Sequence, residues 1–448
     1  MKEKKMKLTV KELADALQIS VVGNQEALVT SVEFDSRLIQ AGSLFVPLAG
    51  ARDGHEFIEQ AIANGAVATL WSKELATAPS EIAVLPVADV THAFQQIAVY
   101  YQQKVAPKIA AITGSNGKTT TKDMTESVLA QKFRTYKTQG NYNNDLGMPY
   151  TILHMPEDTE LLILEMGMDH AGEISFLSKL AKPDAAAITL IGEAHIEHLG
   201  SRAGIAAAKM EIVDGLKKDG LLIVPGDEPL LTPLLTELSQ QVATFGLHEG
   251  TIRGEILSET KEQTTFMVDG KKYQIPVLGG YNVKNALIAY GFGRYFGLTS
   301  EQIAKGLAEF QLTKNRTEWV KASNGADILS DVYNANPTAM GLVLDSFGQL
   351  ALPGRRLAVL ADMLELGPDS KDMHRQMANH IGEKYAIVYL YGEEMAALRD
   401  VLAGTVHYFA PTQKAELIAQ IKADLLPTDS IVLKGSNGMG LAEVVASL

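Results

Sequence analysis

The sequence predicts an α/β protein of three domains. Its 448 residues are more than one hydrophobic core usually organises. Continuously apolar runs alternate with helical patterns along most of the chain, which is typical of parallel strands buried on both faces. We expect a small N-terminal α/β domain at residues 1–107, a central domain at 108–314 and a Rossmann-like C-terminal domain at 315–448.

The N-terminal domain is indicated by short apolar runs separated by helical stretches. We expect strands at 43–50, 67–72 and 82–90, followed by a helix at 92–104. Pro107 closes this stretch, because proline cannot continue a helix. The pattern favours a compact α/β module ahead of the next domain.

The central domain should contain a doubly wound, mostly parallel sheet. Apolar runs at 161–165, 185–191 and 221–224 are separated from one another by helical patterns. Between 251 and 277 the pattern changes to polar and apolar alternation around Asp269 and Gly270, which is a hairpin signal. We therefore expect a small antiparallel insert, with its lysines at 261–272 in solvent.

A third series of strands follows Lys314. The apolar runs at 328–332, 357–360, 386–391 and 431–434 predict the sheet of the Rossmann-like domain. The sequence shows no repeat and no flexible linker, so short hinges should join the domains. Trp71 and Trp319 are interpreted as packing residues.

The composition limits the possible partners. The net charge of -13 and the pI near 5.3 argue against a nucleic-acid surface, which needs clustered lysine and arginine. The absence of cysteine excludes disulfides, cysteine-ligated zinc and thiolate catalysis. No apolar run reaches the roughly 20 residues of a membrane span, and the start lacks the apolar segment of a secretory signal. We expect a cytoplasmic monomer that binds small molecules.

A glycine-containing turn joins the first strand of the central domain to its first helix. Backbone N–H groups of such a turn point at phosphates, Lys118 can reach the terminal phosphates, and the Thr119 hydroxyl can ligate Mg2+. The loop is shorter than the usual motif, because Ile112 stands where a first glycine would fall. The sequence thus predicts a P-loop-type site made of Gly114, Ser115, Asn116, Gly117, Lys118, Thr119 and Thr120.

Two polar residues follow neighbouring strands of this sheet. Glu165 ends one strand and His195 follows the next, at the edge where ligands bind in parallel sheets. A carboxylate suits the Mg2+ of a bound nucleotide, and a neutral imidazole can ligate a second divalent ion. Glu165 could also be a solvated strand end, and His198 is as plausible a ligand as His195.

Seven segments appear in an order that resembles the Mur ligases of peptidoglycan synthesis, and the resemblance extends over all three domains. The segments lie at 113–122, 140–149, 165–167, 193–195, 209–212, 282–286 and 331–337. The resemblance implies an ATP-dependent ligase that phosphorylates a peptide carboxylate to an acyl phosphate, which an amine then attacks. The last segment resembles most the member that joins D-alanyl-D-alanine to UDP-N-acetylmuramoyl-tripeptide (UDP-MurNAc-tripeptide).

The resemblance also implies catalytic roles. Lys118 would neutralise phosphate charge, Thr119 and Glu165 would hold the nucleotide Mg2+, and His195 would hold a second Mg2+. Lys209 would react with CO2 to become a carbamate and a further metal ligand, which requires a deprotonated amine. Without the resemblance, Lys209 would be interpreted as an ordinary solvated helix residue.

The remaining site residues are also implied by the resemblance. ATP contacts are expected at Asn282, Asn285, Arg316, Asp331, Tyr333, Asn334 and Asn336. Substrate contacts are expected at Ser36, Arg37, Asp53, His55, Asn141, Asn143, Asn144, Lys434, Ser436 and Asn437. Asn282 could instead be a helix cap, and clustered asparagines are common in ordinary turns.

Several rival functions stay open at this point. One is another Mur ligase, such as the one that adds the third residue, or a folylpolyglutamate synthase. Others are a switch protein that hydrolyses ATP without forming a bond and a kinase that releases a stable phosphorylated product. The sequence does not show whether the third peptide residue is L-lysine or diaminopimelate.

Overall fold

The computed structural model describes residues 5–313 and 316–448. Three large sheets, of four, seven and six strands, follow one another along the described chain, each with its own helices, so the predicted α/β class is confirmed. The expected boundary between the second and third domains, at 314 and 315, lies outside the described residues. Among the described residues, no helix combines the length and apolarity that crossing a bilayer would need.

The N-terminal unit is built on a four-stranded parallel sheet in the order β3-β4-β5-β6, with β1 and β2 as a separate antiparallel pair. A capping box starts the first helix, because Thr9 and Glu12 satisfy each other's backbone N–H groups. Its elements are β1 (Leu8–Thr9), α1 (Val10–Leu17), β2 (Leu28–Val29), β3 (Ser31–Glu33), β4 (Ser43–Phe45), α2 (Ile58–Ala63), β5 (Ala66–Trp71), β6 (Ala83–Pro86) and α3 (Val90–Val105).

The central unit contains a seven-stranded sheet in the order β13-β12-β11-β10-β7-β9-β8, and all of its pairings are parallel. Helices cover both faces, and two separate hydrophobic clusters fill the space beneath them. The predicted doubly wound sheet is therefore confirmed. Its strands are β7 (Lys108–Thr113), β8 (Thr135–Lys137), β9 (Leu161–Glu165), β10 (Ala185–Ile188), β11 (Leu221–Pro225), β12 (Gln241–Gly246) and β13 (Ile252–Arg253).

The helices of the central unit follow the same βα alternation as the strands. They are α4 (Lys118–Leu129), α5 (Gly147–His154), α6 (Glu173–Ala181), α7 (Ile196–Leu199), α8 (Arg202–Met210), α9 (Gly280–Tyr295) and α10 (Ser300–Glu309). Helix α9 packs along α4, which follows the glycine-containing turn. This packing fixes α9 beside the predicted nucleotide loop.

The predicted antiparallel insert is present. It consists of β14 (Glu255–Glu259), β15 (Thr264–Val268) and β16 (Lys271–Ile275), and the turn has φ of 49° at Asp269 and 74° at Gly270. The expectation for the insert's lysines holds for Lys271 and Lys272, which are exposed, but not for Lys261, whose side chain is 24% exposed and contacts the C-terminal unit. Its Nζ lies 2.5 Å from Asp327 Oδ1 and 4.8 Å from the Trp319 ring centroid, both in the C-terminal unit.

The C-terminal unit has a six-stranded sheet in the order β17-β18-β22-β19-β20-β21, parallel except for β17. Trp319 on β17 packs in it as predicted, with its ring 6.0 Å from that of Phe347. The strands are β17 (Glu318–Lys321), β18 (Asp327–Asp331), β19 (Arg356–Ala361), β20 (Ile387–Tyr391), β21 (Thr405–Phe409) and β22 (Ser430–Lys434). The helices are α11 (Pro337–Gln349), α12 (Ser370–Gln376), α13 (Ala378–Ile381), α14 (Ala396–Arg399), α15 (Lys414–Asp424) and α16 (Leu441–Ser447).

Candidate active site

The turn between β7 and α4 requires glycine at two positions. Gly114 and Gly117 have φ of 147° and 82°, a region that side chains disfavour. A Cβ on Gly114 would overlap the Thr189 hydroxyl, and one on Gly117 would lie 2.6 Å from Asn285 Oδ1. The loop is therefore pressed against the end of β10 and the start of α9. Ser115 Oγ also accepts a hydrogen bond from the Gly192 N–H at 2.9 Å.

Lys118 is the first residue of α4, and Thr119 and Thr120 follow it as buried side chains. The Lys118 ammonium donates to the Gly114 carbonyl at 2.7 Å, so it lies over the loop. Burial lowers the pKa of Lys118, while the Glu165 carboxylate opposes that shift. The loop thus presents an ammonium group together with the N-terminal N–H groups of a helix, which is a suitable environment for phosphate.

Glu165 ends β9 as a buried carboxylate, only 3% exposed. Its Oε1 accepts from Asn143 Nδ2 at 2.9 Å, whereas Oε2 has no hydrogen-bond partner among the described residues. The Lys122 ammonium is 3.9 Å from Oε2. A buried oxygen without a donor is costly. It fits a divalent cation, and burial excludes the alternative of a solvated strand end.

His195 lies at the start of α7 with a left-handed φ of 62°. Its Nδ1 is 2.8 Å from Glu365 Oε2 and 3.3 Å from Asp169 Oδ1, although neither contact has hydrogen-bond angles. Burial lowers the pKa of this imidazole, and Glu365 acts against that shift. The alternative ligand, His198, is exposed and stacks on His170 with ring centroids 4.7 Å apart. The geometry therefore favours His195.

Lys209 in α8 is 2% exposed, so it is not a solvated helix residue. In the part of the chain that the structure describes, its ammonium has no hydrogen bond or ion pair. Burial, reinforced by the charge of Lys118, pushes the pKa of Lys209 well below its usual value. Within 5–313 and 316–448, no three His, Asp or Glu side chains form a ready metal-binding group. A metal ion here would therefore need the Thr119 hydroxyl or a modified Lys209 as a further ligand.

A cavity of about 560 Å³ lies between the central and C-terminal units. Asn116, Gly117 and Thr120 of the loop line it, together with Asn282 and Asn285 of α9. The cap of α9 is Gly279, so the capping alternative for Asn282 is wrong. Asn282 instead donates to the Leu278 carbonyl at 2.8 Å and accepts from Asn285 at 3.2 Å.

The C-terminal wall of this cavity carries four of the eight residues expected in that unit, namely Arg316, Asp331, Asn334 and Lys434. The Lys434 ammonium lies 2.5 Å from Asp331 Oδ2, so a buried lysine pairs with a half-buried carboxylate. The Arg316 guanidinium lies 4.1 Å from the centroid of the Tyr333 ring. Lys434, expected to contact substrate, thus belongs to the wall that also carries the expected ATP contacts.

Asn336 connects the two units directly. It caps α11 by accepting from the Ala339 N–H at 2.9 Å, and its amide donates to the Asn116 side chain. Ser436 is buried and accepts from the Leu364 N–H at 2.9 Å, while Asn437 is exposed. Neither Ser436 nor Asn437 lines the cavity.

A second cavity, of about 550 Å³, lies between α3 of the N-terminal unit and the central unit. The expected residues Asn141, Asn143 and Asn144 line it. Sequence reasoning missed the rest of its wall, although several positions adjoin the Glu-Met-Gly segment. These residues are Gln95, Asp145, Gly167, Met168, Asp169, Glu173, Phe176 and Leu177.

The four residues expected to contact substrate in the N-terminal unit line neither cavity. Ser36 is buried and donates to Gln60 at 2.7 Å, whereas Arg37 is 79% exposed and pairs with its neighbour Asp35. Asp53 caps a short 3-10 helix and accepts from His55 Nδ1 at 2.7 Å. A cluster of packed and paired side chains therefore surrounds Asp53 and His55.

The Asp53 cluster has a clear electrostatic basis. Hydrogen bonds from the Lys73 ammonium and from the backbone N–H and ring of His55 hold the pKa of the Asp53 carboxyl well below its usual range. The buried His55 ring packs edge-on against Trp71, with centroids 4.8 Å apart. Trp71 is thus a packing residue, as predicted.

Comparison with known proteins agrees with this arrangement. Three family models match in order: "Mur ligase family, catalytic domain" at 28–102, "Mur ligase middle domain" at 112–293 and "Mur ligase, glutamate ligase domain" at 315–437. The chain is 41% identical to UDP-N-acetylmuramoyl-tripeptide–D-alanyl-D-alanine ligase of Bacillus subtilis, over 99% of this chain and 98% of the relative. The same-named Escherichia coli protein is 32% identical over 98% of both chains.

Solved structures give the same result at the level of the fold. A crystal structure of MurF from Acinetobacter baumannii superposes with a TM-score of 0.90 at 29% identity, covering 99% of both chains. MurF from Thermotoga maritima in complex with ADP has a TM-score of 0.83 at 24% identity, covering 93% of this chain and 96% of that one. Because relatives align over the full length and the three matched segments keep their order, the chain belongs to the Mur ligase family.

Proposed function

We propose that this protein joins D-alanyl-D-alanine to UDP-MurNAc-tripeptide in peptidoglycan synthesis, with conversion of ATP to ADP and phosphate. Relatives that carry this name align with the chain from end to end. The observation that carries the proposal is the Asn143–Glu165 hydrogen bond of 2.9 Å. It links the wall of the second cavity to a carboxylate beside the nucleotide loop, so a nucleotide and a second substrate could react at their junction.

Each unit has a role in this proposal. Residues 1–107, with Ser36, Arg37, Asp53 and His55, would hold the UDP part of the substrate. Residues 108–314 would bind ATP at the loop, with Asn282 and Asn285 near the base. Residues 315–448 would bring Arg316 to the phosphates and bind the dipeptide. Asp331, Tyr333, Asn334, Asn336, Lys434, Ser436 and Asn437 would complete the contacts of this third unit.

The chain offers groups that fit two magnesium ions. The unpartnered Glu165 Oε2 and the buried Thr119 hydroxyl suit the ion of the nucleotide. His195 would serve the second ion, together with Lys209 after its neutral amine adds to CO2 and releases a proton. Burial of Lys209 favours that neutral amine. When bound, the ions would neutralise negative charge on the transferred phosphoryl group.

The bond-forming steps leave the protein mainly with positioning. The tripeptide carboxylate attacks the γ-phosphorus, ADP leaves, and the product is an acyl phosphate. The dipeptide amine then attacks the acyl carbon and the bond from that carbon to the phosphate oxygen breaks. Phosphate leaves, the nitrogen loses a proton, and an amide bond remains. Lys118 would balance charge on the phosphates throughout.

One assay tests this proposal against its rivals. Purified protein is mixed with ATP, Mg2+, UDP-MurNAc-tripeptide and D-alanyl-D-alanine, and mass spectrometry follows the products. We expect ADP, phosphate and a UDP-linked pentapeptide, with no phosphate release when the dipeptide is left out. Phosphate release that ignores the dipeptide would indicate a hydrolysing switch, and a stable phosphorylated product would indicate a kinase.

Two further questions use the same preparation. Parallel reactions with L-lysine or diaminopimelate as the third residue identify which tripeptide is accepted. We also propose a cytoplasmic monomer, for which light scattering should give a mass near 48.3 kDa.

A further inference from the structure

The loop that carries His195 belongs to the central unit by sequence, but part of it is held by the C-terminal unit. Glu193 accepts two hydrogen bonds from Thr338, at 3.1 Å from its N–H and at 2.9 Å from its hydroxyl. Thr338 is the second residue of α11, directly after Pro337, which has no N–H. The Glu193 carboxylate therefore lies at the positive end of a helix from the other unit, which stabilises the contact.

The same loop meets the C-terminal unit at a second point. Glu365, in the segment after β19, brings its carboxylate to 2.8 Å from His195 Nδ1. Its carbonyl accepts from the Glu197 N–H at 3.4 Å. His195 and Glu365 both have a left-handed φ of 62°, which is uncommon outside glycine. Two strained residues thus meet across a boundary between units.

We propose that Glu193 and Glu365 are positioning residues that make the orientation of the His195 imidazole depend on docking of the C-terminal unit. Glu365 lies at ion-pair distance from Nδ1, and a carboxylate at this ring nitrogen restrains the ring by charge attraction and leaves the other nitrogen free to bind a metal. Here the carboxylate comes from a different unit than the histidine. The reaction centre would be complete only when the unit that binds the dipeptide is in place.

Given the proposed function, on which this inference rests, the arrangement would protect the acyl phosphate from hydrolysis. An acyl phosphate that forms before the dipeptide is held would be exposed to water. If His195 is ordered only after docking, acyl phosphate forms only when its acceptor is close. Arg202 supports the loop from the central side, through Ile191 O at 2.9 Å and a 3.7 Å approach to Glu193. The loop is therefore held by Arg202 of the central unit and contacted by Thr338 and Glu365 of the C-terminal unit.

The test measures metal binding as well as turnover. Mn2+ is titrated by electron paramagnetic resonance into protein that holds β,γ-methylene ATP and UDP-MurNAc-tripeptide. For wild type we expect two bound ions. Glu365→Ala should weaken binding of the second ion about 10- to 100-fold and leave the first unchanged, because loss of an outer partner typically costs that much. The value of kcat should fall by a similar factor, with KM for ATP unaltered.

Glu193→Ala should reproduce these losses. Glu193→Gln should keep part of the affinity and of kcat, since an amide oxygen still accepts one hydrogen bond from Thr338. The double variant should lose less than the product of the single effects, because both act through one ring. Glu197→Gln is the matched control, an exposed carboxylate in the same loop that should behave as wild type. Thermal unfolding of every variant shows whether it is folded.

Three results would overturn the inference. They are wild-type affinity for the second Mn2+ in folded Glu365→Ala and Glu193→Ala, an equal loss in Glu197→Gln, or a single Mn2+ in wild type that still makes pentapeptide. Each of these leaves the ligase function standing. A wild-type protein that makes no pentapeptide would instead overturn the proposed function itself.

Discussion

Replacing Asn143 with alanine should impair the reaction through Glu165 rather than through lost substrate contact. The Asn143 amide donates to Glu165 Oε1, and its side chain packs tightly on Gly167, where an added Cβ would lie 2.9 Å from the amide. Within 5–313 and 316–448, Glu165 Oε2 already has no hydrogen-bond donor. The substitution therefore leaves both oxygens of a buried carboxylate without a hydrogen bond.

The size of the effect follows from this geometry. A hydrogen bond to a charged group contributes about 1.5–3 kcal/mol. At about 1.4 kcal/mol for each factor of ten, kcat/KM should fall about 10- to 150-fold in Asn143→Ala. Because the carboxylate would be less well ordered, the Mg2+ concentration for half-maximal activity should rise as well.

The assay is pentapeptide formation at varied Mg2+, with Asn144→Ala as the control. Asn144 lies in the same loop, but its Oδ1 accepts from the Gly147 N–H at 2.8 Å at the start of α5. Asn144→Ala should lower stability by about 1 kcal/mol and leave the Mg2+ requirement unchanged. Wild-type kcat and Mg2+ dependence in Asn143→Ala, with only KM for the UDP-linked substrate raised, would refute the reasoning.

Three further outcomes are expected. Lys209→Arg keeps helix and charge but cannot form a carbamate, so pentapeptide formation should be lost; wild-type turnover would contradict the modification. Gly114→Ala should abolish ATP binding in calorimetry, because its Cβ would overlap the Thr189 hydroxyl. Burial alone would raise the pKa of Asp429, but hydrogen bonds from Arg355 hold this pKa below its usual value of 3.8. Its stabilising effect is present above about pH 4 and is lost as the pH falls, so urea midpoints should decline less with acid in Asp429→Asn.

Local patterns predicted the fold well where one segment decides its own structure. The strand predicted at 161–165 is β9, because a short run of apolar residues suits a parallel strand that is buried on both faces. The hairpin at Asp269 and Gly270 followed from turn chemistry alone. Strands β8, β12 and β21 escaped prediction, since their partly exposed residues lack a continuous apolar run.

The candidate site was predictable to a similar extent. The loop at 114–120 and Glu165 carry local signals, namely a glycine turn and a strand end. The alternatives of His195 or His198 could not be separated by pattern, because only packing shows which ring is exposed. Glu193 and Glu365 were missed for a related reason. Their roles come from contacts between units more than 140 residues apart, which no local spacing records.

The contact between Lys261 and Trp319 gives this enzyme a natural optical reporter. The chain has two tryptophans, and only Trp319 lies at the junction of the insert with the C-terminal unit. In a Trp71→Phe background Trp319 is the single tryptophan, with an ammonium 4.8 Å from its ring centroid. Movement of that charge away from the ring would shift the emission wavelength. Stopped-flow fluorescence could therefore time the motion of the C-terminal unit during turnover without any attached dye.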